Sequence, residues 1–353
     1  MSKQKATTIQ DVANKAKVSI STVSHVLNKT RHVEKTRHDR VVAAVKELGY
    51  RPNQLARGLR GAGSKTIGLI ISDIREEFFA GLTKAVESAA NERGYLVTLC
   101  DSEEDPEKEA RYIEILADRG VDGIILAPVD RNVTVRVPRG GNLPVVLVDR
   151  RSEESGLDFV GIENGRSARE ATRHLVGLGR KKLGFIGHEM AIATMGERAE
   201  GFVAAMEELG LADEARVLTL RSRAGDNKAK VKRWLAKSPD LDGIICGNAN
   251  LCYLTLSVLE ESGVEVPGKM AVVSFDDPEC FRFMRSPITA IRQPTERIGA
   301  TAFDVLLAKV EGRATTGTGA SNLDAPEASE YIIPARLIVR ESCGTPRHGG
   351  PNA

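Results

Sequence analysis

No apolar run in the 353 residues reaches the roughly 18 that a membrane-spanning helix needs. Cysteine is scarce. Cys100, Cys246, Cys252, Cys280 and Cys343 are odd in number and form no CxxC pair, which argues against a disulfide framework or zinc finger and fits a reducing compartment. The opening Met1-Ser2-Lys3-Gln4-Lys5 has charge but no apolar core behind it, unlike a signal peptide. A cytoplasmic protein with no membrane partner is therefore expected. Common enzyme signatures are missing as well: no GxGxxG opens a helix after a strand, no serine elbow occurs, and His188-Glu189 lacks the second His of a zinc-protease helix. The stretch 263–270 resembles a P-loop, but it lacks the final Ser or Thr and precedes a strand where a P-loop would follow one. Neither catalysis nor a metal or cofactor is expected.

What is present is an ordinary globular composition, 41% hydrophobic and 28% charged, which sets aside disorder, collagen and coiled coil. The length suggests two or three structural units. The net charge of +2 hides an asymmetry. Residues 1–65 hold eight Lys and six Arg against Asp11, Glu34, Asp39 and Glu47, a net of +10 that leaves −8 on the other 288 residues. A small basic head on a mildly acidic body points to a polyanion partner for the head.

The head has helical pattern. Thr8 can cap a helix starting at Ile9, with Val12, Ala13 and Ala16 on its inner face. After a break at Lys17-Val18, Ser19 can cap a second helix with Ile20, Val23, Val26 and Leu27. A third helix is expected from about 36 to 48, with Val41, Val42, Val45 and Leu48 inward and Gly49 ending it. Two short helices across a tight turn and a third closing the core make a helix-turn-helix unit. Ser21, Thr22, Ser24, His25 and Asn28 on the second helix suit base edges and phosphates, and Lys29 and Arg31 suit the phosphate backbone. A solvated, capped helix would show the same residues. The stretch Arg51-Pro52-Asn53-Gln54-Leu55-Ala56-Arg57-Gly58-Leu59-Arg60 then sets Leu55 and Leu59 one helical turn apart among arginines, as a minor-groove wedge requires.

Thr8-Ile9-Gln10-Asp11-Val12-Ala13, Val18-Ser19, Thr22-Val23-Ser24-His25-Val26-Leu27-Asn28 and Leu48-Gly49-Tyr50-Arg51-Pro52-Asn53 together resemble the LacI/GalR family of bacterial transcription regulators. The likeness runs to about residue 343, and His25 with Asn28-Lys29-Thr30-Arg31 looks most like the purine-repressor branch. The resemblance implies that Ile20, Ser21 and His25 face the major groove and that Leu59 is an intercalating hinge leucine. Thr8, Ser19, Asn53, Leu55 and Ala56 complete the implied DNA-binding set. Two residues depart from the family: Lys17 stands where Gly is usual in the turn, and Gly58 lies inside the hinge helix, where it costs about 1 kcal/mol relative to Ala.

From Lys65 short apolar strands alternate with helices, first from Thr66 to Asp149 and again from Phe159 to Phe275. This indicates two doubly wound parallel-sheet subdomains, with ligands at the carboxyl ends of the strands. The family's fold for this core is periplasmic-binding-protein-like, with the effector between the subdomains. The implied organisation is a three-helix helix-turn-helix DNA-binding domain over 1–50 and a hinge helix and linker over 51–64. An effector-binding and dimerisation core follows over 65–343, with a flexible tail over 344–353. Within the core, the N-subdomain takes about 65–164 and 294–325, and the C-subdomain about 165–293 and 326–343. The segment 131–142, with Pro138 and Gly140-Gly141, predicts a shortened or lost helix; the run 312–329 predicts a flexible insertion.

Asp149, Arg198, Asn248 and Asp276 match family ligand positions. Carboxylates, an amide and a guanidinium at strand ends suit sugar hydroxyls, although the guanidinium fork equally suits a carboxylate or phosphate. Phe78 and Phe79 follow the first strand, and Phe79 is expected to be the ring that faces the ligand. His188 either reaches the cleft or is structural. Glu76-Glu77 replaces the family's common Asn-Pro, and Ala249 an acidic residue, both departures from an ordinary hexose site. Trp234 is expected to pack. The reading is a repressor whose affinity for a pseudo-palindromic double-stranded operator is set by a small-molecule effector, a sugar or sugar derivative. The tail 347–353 has no leucine heptad, so a homodimer is expected. The alternatives are a nucleobase- or protein-responsive regulator and, more remotely, a solute-binding protein.

Overall fold

The computed structural model describes residues 7–28, 31–50, 63–129, 143–152, 156–189, 192–221, 225–316 and 328–344, the side chains of 28 and 313–316 excepted. The hinge 51–62, the segment 130–142, the run 317–327 and the tail 345–353 lie outside the described residues, and so do the expectations made for them. The chain divides into two compact units, 1–64 and 65–353.

In the first unit, α1 (Ile9–Ala16) starts at a capping box. Thr8 accepts from the Asp11 N–H, and the Asp11 carboxylate accepts from the Thr8 backbone, so two otherwise orphaned donors are satisfied. The turn passes through Lys17 at φ 53°, the left-handed conformation that Gly adopts at least cost. Ser19 caps α2 (Ile20–Asn28) by accepting from the Thr22 N–H at 3.2 Å. The third helix, α3 (Lys35–Leu48), ends at Gly49 with φ 58°. Val12, Ala13, Ala16, Val23, Val26, Val41 and Ala44 form the core. Val42, expected inward, is 49% exposed; Ala44, three residues after Val41, takes the inner position.

The second unit holds two six-stranded sheets. In the first, β1 (Thr66–Ile71), β2 (Leu96–Asp101), β3 (Gly123–Leu126), β4 (Val145–Val148), β5 (Asp158–Gly161) and β11 (Glu330–Ile332) lie in the order β11-β5-β4-β3-β1-β2. In the second, β6 (Leu183–His188), β7 (Arg216–Leu220), β8 (Gly243–Cys246), β9 (Ala271–Phe275), β10 (Thr289–Arg292) and β12 (Arg336–Ile338) lie in the order β12-β10-β9-β8-β6-β7. The first five strands of each repeat one winding order, and all pair in parallel except β12 against β10. Their near-continuous apolar runs reflect burial on both faces. The helices that matter for the site are α4 (Glu77–Glu92), α6 (Asn164–Gly177), α7 (Ala193–Glu208) and α9 (Ala249–Glu261), reached after α5 (Pro106–Asp118) and α8 (Asn227–Lys237).

The sheets correct one expected boundary. Glu330–Ile332 pairs with β5, so this strand belongs with the first subdomain and not with the second. The chain passes from the first sheet to the second between Ile332 and Arg336; the sequence there continues one strand pattern through Pro334 and gives no signal of the change.

Candidate functional site

On the head, Ser19, Ile20 and Ser21 are exposed, with Ile20 39% accessible. The three hydroxyls of Ser19, Ser21 and Thr22 form one cluster, the Ser19 Oγ lying 2.8 Å from Ser21 and 2.9 Å from Thr22. Thr22, Ser24 and His25 are half-buried, and Arg31 is exposed. Thr8 is also exposed, with its side chain engaged in the capping box. The start of α2 therefore presents short polar groups and one aliphatic tip, a surface that can enter a major groove. Lys29, Asn53, Leu55, Ala56 and Leu59, together with the Asn28 side chain, lie outside the described residues.

In the second unit, six of the seven expected effector residues meet around one cavity: Phe78, Asp149, His188, Arg198, Asn248 and Asp276. Its empty volume is about 340 Å³. Asp149 follows β4 of the first sheet; His188 ends β6, and Asn248 and Asp276 follow β8 and β9 of the second. The site thus joins the carboxyl ends of both sheets. Phe79, expected to face the ligand, is instead 1% exposed in the core of the first subdomain, and Phe78 lines the cavity. The two rings pack edge to face at 5.1 Å. Adjacent residues on a helix lie about 100° apart, so only one of them can face the cleft.

Asp149 and Asp276 occupy equivalent places in the two sheets. Both are left-handed, at φ 64° and 63°, a conformation that Asp tolerates better than most side chains. Burial pushes Asp149 up to about 6 and raises Asp276, against the pull of nearby arginines. Arg198, 3% exposed, stands close to both. Its Nε donates to Asn164 Oδ1 at 2.8 Å and its Nη1 to the Gly247 carbonyl at 2.7 Å, while its guanidinium lies 4.3 Å from the Phe275 ring centre. Gly201, one turn further along α7, lets α6 approach. A Cβ there would meet the Gly165 carbonyl oxygen at 2.3 Å. The spacing Arg198-x-x-Gly201 therefore sets both the guanidinium and the helix contact that holds Asn164 beneath it.

Asn248 has two tasks. Its Oδ1 caps α9 by accepting from the Leu251 N–H at 2.9 Å, the role any polar residue at that strand end could play. Its Nδ2 donates to Glu76 Oε1 at 2.9 Å across the cleft, joining the two subdomains. Burial, then the charge of Asp276, pushes Glu76 up to about 8. Glu104 accepts a forked pair of bonds from Arg150 at 2.8 and 2.6 Å; these hold the guanidinium above its ordinary value although burial works against it. Burial lowers His188, whose Nδ1 is enclosed without a hydrogen-bond partner among the described residues.

Glu76, Glu104, Arg150 and Gln293 also line the cavity and were not among the expected ligand-facing residues; nor was Asn164 among the groups supporting it. Two carried a signal: Arg150 adjoins a strand-end Asp, and Glu76 replaces a common Asn. Glu104 had none, because it reaches the cavity from a loop 46 residues away from its partner in sequence.

A family model described as periplasmic binding proteins and sugar binding domain of LacI family matches residues 64–341, and one described as bacterial regulatory proteins, lacI family, matches 8–53. The chain belongs to the LacI family of bacterial regulators. It is 32% identical over 348 residues to the ribose operon repressor of Halalkalibacterium halodurans, covering 98% of this chain and 99% of that protein. It is also 32% identical over 338 residues to the HTH-type transcriptional repressor PurR of Haemophilus influenzae, covering 95% and 98%. Among solved structures, a transcriptional regulator CelR–cellobiose complex matches with a TM-score of 0.68 at 26% identity, covering 95% of this chain and 99% of that one. Among the described residues, no helix is long and apolar enough to cross a membrane, and no group of three or more His, Cys, Asp or Glu is placed to hold a metal ion.

Proposed function

We propose that this LacI-family regulator is a cytoplasmic, homodimeric, non-enzymatic repressor that releases or tightens on its operator when a sugar or sugar derivative occupies the cleft. The cleft carries the reading. Asp149 from one sheet and Arg198, Asn248 and Asp276 from the other converge on one cavity, and the Glu76–Asn248 bond already spans it. Clustered acceptors and donors of this kind suit vicinal hydroxyls. The relatives named for ribose and cellobiose support the sugar class. A nucleobase sandwich finds less support, because Phe78 is the only aromatic ring apart from the His188 imidazole lining this cavity among the described residues.

Two heads would read half-sites of a palindrome through Ile20, Ser21 and His25, and hinge helices over 51–64 would insert Leu59 in the minor groove. Dimerisation is supported by apolar surface on the second unit. Leu96 on the edge strand β2 is 65% exposed, and Phe283 79%. Effector binding across the cleft would bias the subdomain arrangement and so couple the two affinities reciprocally.

The test is a thermal-shift screen of the full chain with neutral, amino and acidic sugars, sugar phosphates and nucleobases. A ligand at 100 times its Kd stabilises by about 2.7 kcal/mol. Each hit is then added to DNA recovered by selection from a random palindromic library. A sugar that shifts both melting and DNA affinity supports the reading. A nucleobase as the sole hit would overturn it.

A further inference from the structure

The charge around the cavity is unequal. Four carboxyl groups line it, Glu76, Glu104, Asp149 and Asp276, against two guanidiniums, Arg150 and Arg198. Glu104 and Arg150 neutralise each other through their forked contact. That leaves Glu76, Asp149 and Asp276 with Arg198 as the one further cation in the lining among the described residues. Asp149, 8% exposed, lies in ion-pair contact with Arg150 Nε at 3.5 Å. Glu76 lines the cavity and accepts from Asn248 through Oε1. An adjoining space of about 500 Å³, open solvent included, shares Glu76, Phe78 and Asp276 with this cavity. The cation at its rim, Arg75, is held by Asp73 through bonds of 2.8 and 2.6 Å.

From this imbalance we infer that the effector is a hydroxylated molecule carrying a protonated amine, an amino sugar in class, with the ammonium between Glu76 and Asp276 beside the Phe78 ring. The inference rests on the sugar reading of the same cleft and narrows it. The ammonium supplies the positive charge that the lining lacks, and Phe78 offers it a π-face. Its hydroxyls fall to Asp149, Arg198 and Asn248. Sugar phosphates and sugar acids are disfavoured, because an added anion in a low-dielectric cleft would meet three carboxyl groups and one already engaged guanidinium. Burial raises Glu76 in the empty cleft, and a bound ammonium would relieve that by stabilising its charged form.

Isothermal titration of the full-length protein decides this. The probes are glucosamine, galactosamine and mannosamine, each beside its neutral parent and its N-acetylated form, together with glucuronate and glucose 6-phosphate. The expected result is that at least one amine binds about tenfold or more tightly than both its parent and its N-acetyl form, as a charge-assisted contact implies. In Glu76→Gln that ratio should fall towards one. The wild-type ratios alone decide the outcome if the variant does not fold. A neutral parent or an anionic sugar that binds as tightly as the amines overturns the ammonium assignment and leaves the sugar reading standing. No binding by any probe would overturn the ammonium assignment, and the sugar reading falls with it if the thermal-shift panel gives no sugar either.

Discussion

Arg198→Met keeps an unbranched apolar stem and removes the guanidinium with its charge. Two charge-assisted hydrogen bonds disappear, to Asn164 and to the Gly247 carbonyl, each contributing about 1.5–3 kcal/mol net. Asp149 and Asp276, 8% and 9% exposed, lose a nearby cation, although Asp149 keeps Arg150 Nε at 3.5 Å. Breaking a buried charged contact by removing one partner costs about 3–5 kcal/mol, the same range. The aspartates have an escape. Asp149 already titrates near 6, so protonating it at pH 7 costs only about 1.4 kcal/mol. The expected loss is thus about 3–4 kcal/mol at pH 7.5, shrinking by about 1–2 kcal/mol at pH 5.5 as the variant takes up protons that the wild type does not. Trp234, the only tryptophan, packs into the second subdomain against Gly184, so its fluorescence in urea follows that unit. A loss below about 1 kcal/mol, or one that does not vary with pH, would show that Arg198 is not the counter-ion of the aspartate pair.

Three further perturbations test other parts of the argument. Gly201→Ala sets its Cβ 2.3 Å from the Gly165 oxygen and 2.7 Å from the Gly165 Cα; the helices must part, at about 2–3 kcal/mol. Gly177→Ala, with nothing within 4 Å of the added Cβ, is the control and should be neutral or better in the same urea titration. Lys17→Gly relieves a left-handed lysine at φ 53°, worth about 1–2 kcal/mol, against about 0.5–1 kcal/mol of glycine entropy; hydrogen exchange of the head amides should slow slightly, and faster exchange would contradict the strain argument. Glu76 is pushed to about 8 from an ordinary 4.5, so the effector-free fold holds an extra proton between those values. Wild-type stability should therefore fall as pH rises through that window, by up to about 1.4 kcal/mol per pH unit, with Asp276, Asp149 and Glu104 opposing the charge and Arg150 favouring it. Glu76→Gln should flatten the slope; an equally steep slope in the variant would assign it to another group.

Much of this protein is local in origin and so legible in the chain itself. The capping box Thr8–Asp11, the left-handed stop at Gly49 and the buried strand runs each depend on residues within a few positions of one another. Arg198, Asn248 and Asp276 were legible because each lies beside an apolar strand or in a short motif. What only the tertiary structure decided depends on contacts that sequence distance hides. The choice of Phe78 over Phe79 turns on which face of α4 packs on its sheet. The pairing of Glu104 with Arg150 spans 46 residues, and that of Glu76 with Asn248 spans 172. The strand Glu330–Ile332 joins the first sheet because its edge beside β5 is open to it, a fact about the assembled sheet that no local pattern records. Local patterns set which elements form; long-range packing sets which side chains meet, and the charge balance of the cleft follows from those meetings.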